Sequence, residues 1–153
     1  MPAVTPEILK GMNLFEFLKL DELGDIAALS RVEEFKGGDY VYKEGAKAEK
    51  IYLVLEGRVA IEIEIGPNKK AVVYTENKGK MFGYPSLAKP KVFASDARCL
   101  DNVKLITLNA DELVEKIFKN DCRRGYLVMN KLAEIISLKL KETSMQLVSL
   151  VHS

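Results

Sequence analysis

The chain has 153 residues, and its 48% hydrophobic content is enough for a substantial core. Its 23 Lys and Arg nearly cancel its 22 Asp and Glu, so there is no large positive field to hold nucleic-acid backbones or anionic membranes. Two cysteines, Cys99 and Cys122, with no CxxC or Cys/His cluster, read as free thiols. The N-terminal MPAVTPEILK lacks an apolar core behind basic residues, and no stretch nears the roughly 20 apolar residues of a membrane span, so a cytoplasmic protein is expected.

Thr5-Pro6 predicts an N-cap followed by proline at the first helical position. A second helix is expected from Leu20, Leu23, Ile26, Ala27 and Ser30, with Asp21 as its cap. Both helices are read as lids on another element.

Between Val32 and Leu108 the pattern becomes short β-rich runs punctuated by Gly37-Gly38, Gly45, Gly57, Gly66-Pro67-Asn68, Gly79 and Gly83. Val59, Ile61, Ile63 and Ile65 alternate with Ala60, Glu62 and Glu64, which predicts an apolar inner face and solvated carboxylates. Residues 51–55 and 104–108 are more continuously apolar, as strands covered on both sides would be. The expected fold is mainly β with flanking helices: a jelly-roll barrel, since closure removes exposed strand edges.

After Leu108 the period becomes helical. Asn109 with Glu112 three residues on predicts a cap for a helix through Phe118, and Asn120-Asp121 offers the next start. In the last segment Met129, Ala133, Ile136, Leu140, Thr143, Leu147 and Leu150 repeat at spacings of four and three, an a/d seam. Val128, Leu132 and Ile135 form a second stripe near its start. The first turns are therefore expected on the barrel and the later ones against a partner helix in a homodimer. One unit over 1–153 results, with helices in 1–31, the barrel in 32–108 and helices in 109–153.

The only histidine is His152, so neither a Ser/His/Asp triad nor a histidine metal site is expected, and no phosphate loop of the P-loop or dinucleotide kind is present. No carboxylate pair is singled out for acid-base work. The chain reads as a non-enzyme.

Phe35-Lys36-Gly37-Gly38-Asp39-Tyr40-Val41, Glu44-Gly45, residues 51–57 ending in Glu56-Gly57, and Gly79-Lys80-Met81-Phe82-Gly83 together resemble the cyclic nucleotide-binding domain family, of the type of the catabolite gene activator protein's effector domain. The resemblance runs through the Ser95 to Cys99 strand to the long last helix. It implies a phosphate-binding cassette after Gly83, where a glutamate takes the ribose hydroxyl and an arginine about ten positions on pairs with the phosphate. Here Tyr84 stands at the glutamate position and Phe93 at the arginine position, which removes charge and fork together. Pro85 also deletes one backbone N–H.

Gly83, Tyr84, Ser86, Leu87, Lys89, Lys91, Phe93, Ala94 and Ser95 are the cassette's pocket candidates, with Lys89 and Lys91 as replacement cations or merely solvated side chains. Thr143 and Ser144 resemble the threonine and serine pair with which the activator reads the purine across its dimer; the alternative is a polar residue setting helix register. No helix-turn-helix follows Ser144, so direct DNA binding is not expected. No cofactor is assigned; a cyclic nucleotide or another small molecule remains the candidate ligand. The leading expectation is a dimeric small-molecule sensor with weakened or lost phosphate binding. The alternatives are a ligand-free protein-interaction module, docking a protein partner, and a genuine cyclic AMP or cyclic GMP regulatory subunit.

Overall fold

A computed structural model describes residues 3–152. Eight strands form: β1 (Arg31–Phe35), β2 (Tyr40–Tyr42), β3 (Lys50–Glu56), β4 (Val59–Gly66), β5 (Lys69–Glu76), β6 (Met81–Phe82), β7 (Asp96–Cys99) and β8 (Val103–Asn109). They pair antiparallel in two four-stranded sheets, ordered β1-β8-β3-β6 and β2-β7-β4-β5. The two sheets form a β-roll, in keeping with the mainly-β jelly-roll barrel expected, with helices at both chain ends.

The first sheet is covered on both faces, which explains its continuous apolar strands. Ile51, Leu53, Ile106 and Leu108 join the core beneath the helices, while Tyr52, Val54, Val103 and Leu105 join the core between the sheets. Alternate residues of the same strand thus serve two different cores.

Helix α1 (Pro6–Lys10) is capped by the Thr5 hydroxyl, which accepts from the Ile8 amide at 3.2 Å. Helix α2 (Leu20–Leu29) begins two residues earlier than a cap at Asp21 would place it. Lys19 is its cap position, and the Glu22 carboxylate accepts from the Lys19 amide at 3.1 Å, so Asp21 lies inside the first turn rather than capping it. Ser30 lies just past the end and donates its hydroxyl to the Ile26 carbonyl at 2.9 Å. Leu23 and Ile26 are fully buried, but Leu20 is exposed.

The outward carboxylate face expected along β4 forms at Glu64 but not at Glu62. Glu62 is buried and accepts two hydrogen bonds from the Arg98 guanidinium, at 3.0 and 3.1 Å. Ile63 and Ile65 are exposed instead. The register shifts between Ile61 and Glu62, and β7 pairs with β4 only from Val59 to Glu62, so the outer part of the β4–β5 hairpin runs past its neighbour.

Asn109 caps α3 (Ala110–Glu112), accepting from the Glu112 amide at 3.0 Å, and the chain continues as a wider π-type turn over Leu113–Phe118. Asp121 then accepts from the Arg124 amide at 3.1 Å at the start of α4 (Cys122–His152). Arg124 fastens α4 to α2, donating to Asp25 at 2.6 Å and to the Glu22 carbonyl at 2.7 Å. Val128 and Leu132 are buried and Ile135 packs against the same core. Beyond them α4 keeps one face on the barrel, through Ile136, Lys139 and Thr143, and turns the other outward: Leu138, Leu140, Met145, Leu147 and Val148 are all more than half exposed. Of the a/d seam, Ile136 packs on the barrel core and Thr143 bonds to β5, whereas Met129, Ala133, Leu140, Leu147 and Leu150 lie exposed. No helix among the described residues is long and apolar enough to cross a membrane.

Candidate functional site

Gly83 turns the chain out of β6 at φ +85°. A side chain there is blocked twice, because a Cβ would lie 2.8 Å from the Tyr52 ring and 3.0 Å from the Lys50 carbonyl oxygen. The following segment is a single 3-10 turn, Tyr84–Leu87, held by the Ser86 hydroxyl donating to the Gly83 carbonyl at 2.9 Å. Further on, backbone bonds pin Phe93 to the loop before β3: its amide donates to the Ala46 carbonyl at 2.9 Å and its carbonyl accepts from the Gly45 amide at 2.8 Å.

So anchored, the Phe93 side chain points inward. It is 3% exposed and lies face to face with Tyr42, their ring centroids 3.5 Å apart and planes 5° from parallel. Tyr52 and Phe82 stack beside them at 5.1 Å. Burial raises the Tyr42 hydroxyl above the ordinary tyrosine range, with Tyr52 adding to the effect and a hydrogen bond with Ser95 opposing it. Tyr42 stays neutral at any physiological pH.

The facing wall comes from β5 and α4. Glu76, at the end of β5, is buried and ion-paired with Lys139 of α4. The Lys139 ammonium also sits 4.6 Å above the Tyr74 ring. Thr143 Oγ1 donates to the Lys139 carbonyl at 2.8 Å, so in its 2.7 Å contact with Tyr74 the tyrosine hydroxyl donates. These contacts join the middle of α4 to the second sheet.

Between the two walls lies a cavity of about 220 Å³, lined by Tyr42, Ile61, Ile63, Val73, Tyr74, Glu76, Phe82, Gly83, Tyr84, Pro85, Phe93, Ala94, Ser95 and Lys139. Five of the sequence candidates line it: Gly83, Tyr84, Phe93, Ala94 and Ser95. The other six do not. Ser86 is buried beneath the turn, Leu87 packs toward the helical core, and Lys89 is exposed. Lys91 is drawn away by Asp111, whose carboxylate accepts from it at 2.8 Å. Thr143 is occupied with Tyr74, and Ser144 is exposed beside Lys141, Met145 and Val148 on a different face of α4.

Sequence reading missed the other nine lining residues, among them Tyr42, Tyr74, Glu76 and Lys139. On strands the aromatic and aliphatic members are indistinguishable from core, and Glu76 and Lys139 are 63 positions apart. A carboxylate ending an apolar strand was the available signal for Glu76.

The cyclic nucleotide-binding domain model matches residues 32–120, the segment that builds the barrel and both walls but α4. This chain belongs to the cyclic nucleotide-binding domain family. A Geobacter metallireducens GS-15 protein described as of the cyclic nucleotide-binding kind is 30% identical, with a TM-score of 0.77 over 90% of this chain and 98% of that one. A CRP-like cAMP-activated global transcriptional regulator of Mycobacterium tuberculosis is 21% identical over 140 residues, 85% of this chain and 62% of that protein. The chain thus spans about three fifths of that regulator's length. The regulatory subunit of a cAMP-independent protein kinase A from Trypanosoma cruzi, bound to guanosine, shares the fold at a TM-score of 0.70 and 19% identity, over 83% of this chain and 43% of that one.

Proposed function

We propose that this cyclic nucleotide-binding-type domain is a non-enzymatic sensor of an uncharged, ring-bearing small molecule, in which recognition of a cyclic phosphate has been lost. The observation that carries the reading is Phe93: at the position resembling the family's arginine, a buried phenyl ring is stacked on Tyr42 at 3.5 Å. A phosphate placed there would meet aromatic carbon where it needs charged donors, at a cost on the order of 1.5–3 kcal/mol for each lost charged hydrogen bond. Neither cassette lysine lines the cavity, and the one lining cation, Lys139, is neutralised by Glu76. The fold itself does not decide the ligand's charge, since the Trypanosoma cruzi regulatory subunit is bound to guanosine and a Toxoplasma gondii regulatory domain to cAMP, so the reading rests on Phe93.

At about 220 Å³ the cavity is smaller than the roughly 300–1,000 Å³ of drug-sized sites, and suits one or two fused rings. The same small volume favours a second reading, a ligand-free interaction module. The exposed apolar residues on the later turns of α4 support self-association through that helix.

Thermal-shift titration tests the reading. Cyclic AMP and cyclic GMP are expected to leave the wild-type melting temperature unmoved, while the double variant Tyr84→Glu, Phe93→Arg gains a shift that grows with ligand concentration. A wild-type shift at micromolar cyclic nucleotide would overturn the loss of phosphate recognition.

A further inference from the structure

We infer that the Glu76–Lys139 pair is the recognition edge of the cavity, and that the ligand is a planar heterocycle of no net charge presenting a hydrogen-bond donor beside an acceptor, as a cyclic amide or an amino-substituted azine does. The inference rests on the preceding reading of an uncharged ring ligand and names the chemistry that reading leaves open.

Glu76 and Lys139 are the two charged residues among those lining the cavity, and they come from different elements, the end of β5 and the middle of α4. Their charges cancel, so the site favours neither an anion nor a cation. Both are withdrawn from water, with side chains 4% and 20% exposed. A carboxylate carries several lone pairs and an ammonium several N–H donors. Their mutual contact spends only part of each set, and the Tyr74 ring faces the ammonium without taking an N–H to an oxygen or nitrogen.

A side-by-side acceptor and donor is matched by a side-by-side donor and acceptor. A lone ring N–H satisfies Glu76 only, and a lone carbonyl satisfies Lys139 only. A cyclic amide or amino-azine edge satisfies both, and its flat faces suit the aromatic side chains of Tyr42, Phe82, Tyr84 and Phe93 that line the same cavity. Because these polar groups are poorly solvated, a ring that fills the cavity without pairing them is rejected more strongly than its shape alone predicts.

Calorimetric titration of the full chain with adenine and hypoxanthine, each as free base and nucleoside, supplies the test. Each is compared with its counterpart dimethylated on the exocyclic amine, or methylated on the cyclic-amide N–H, which removes the donor from the edge and keeps the ring. Wild type is expected to bind the unblocked compounds about ten- to a hundredfold more tightly. The double variant Glu76→Leu, Lys139→Met removes both ends of the pair, leaves no lone buried charge, and is expected to bind blocked and unblocked rings alike. Equal affinity in wild type overturns the inference without needing any variant, as does discrimination surviving in the double variant or failure of every compound to bind. Cyclic AMP binding more tightly than adenosine, with edge discrimination intact, would instead overturn the uncharged-ligand reading and leave the edge in place.

Discussion

Phe93 and Tyr42 stack with centroids 3.5 Å apart at the core between the sheets, joining the segment before β7 to the end of β2. The arrangement makes the residue at the position of a phosphate ligand into a core residue. Phe93→Ala is expected to destabilise the fold by about 3–5 kcal/mol through the cavity it leaves, and Phe93→Leu by about 1 kcal/mol, chiefly the lost stacking. Urea unfolding measures both. A loss below about 1 kcal/mol for Phe93→Ala would mean that the ring is held for a ligand rather than for the fold.

The barrel is also expected to lose stability in alkali. Burial, with Glu33 and Glu49 contributing, pushes the Tyr52 hydroxyl up to about 12, and burial with Asp39 and Asp101 pushes the Cys99 thiol up to about 11. Both folded values lie above those of the unfolded chain, so the stability is intact below about pH 8.5 for Cys99 and pH 10 for Tyr52 and declines above, as the unfolded state sheds protons first. The Tyr52 part amounts to on the order of 1–2 kcal/mol by pH 11. Melting temperatures followed from pH 8 to 11 should fall, and Tyr52→Phe should flatten the descent above pH 10. An unchanged slope in that variant would place the alkaline lability elsewhere.

Much of this architecture is legible in the sequence because its signals are local. Thr5, Asn109 and Asp121 cap the helices they precede, and the glycine turns divide the strands where expected. Ile63, Ile65 and Glu62 defeat the alternation rule because a register shift and the shorter β7 decide which part of β4 is covered, and neither is written in β4 itself. The cavity is legible only along one of its walls, for a similar reason. Gly83, Tyr84 and Phe93 belong to one continuous segment, whereas the Glu76–Lys139 pair exists only once α4 has folded back across β5.

Glu62 carries a testable consequence of that misreading. Its carboxylate is 7% exposed, while the Arg98 side chain that pairs with it is 32% exposed. Arg98→Met strands a buried charge and is expected to cost about 1–3 kcal/mol, less than a fully enclosed pair because water still reaches the guanidinium side. Adding Glu62→Gln should restore most of the loss, since a neutral amide tolerates the site. Equilibrium denaturation of the two singles and the double gives the coupling directly, and additive losses would reduce the pair to a surface contact.

The later turns of α4 yield the last prediction. Leu140 is 66% and Leu147 62% exposed on the described chain, together with Leu138, Met145 and Val148, a density of large apolar side chains that a lone helix in water does not sustain. Leu140 and Leu147 share the four-and-three spacing of a helix seam, so a second copy of α4 is the simplest surface to cover them. Leu140→Asp and Leu147→Asp each place a charge in that seam and are expected to convert dimers to monomers in sedimentation velocity. Both monomers should keep the wild-type barrel, because neither side chain contributes to its core. The melting of the barrel and the state of association therefore separate: a variant that unfolds assigns the leucine to the barrel, and one that sediments as wild type removes the helix seam as the interface.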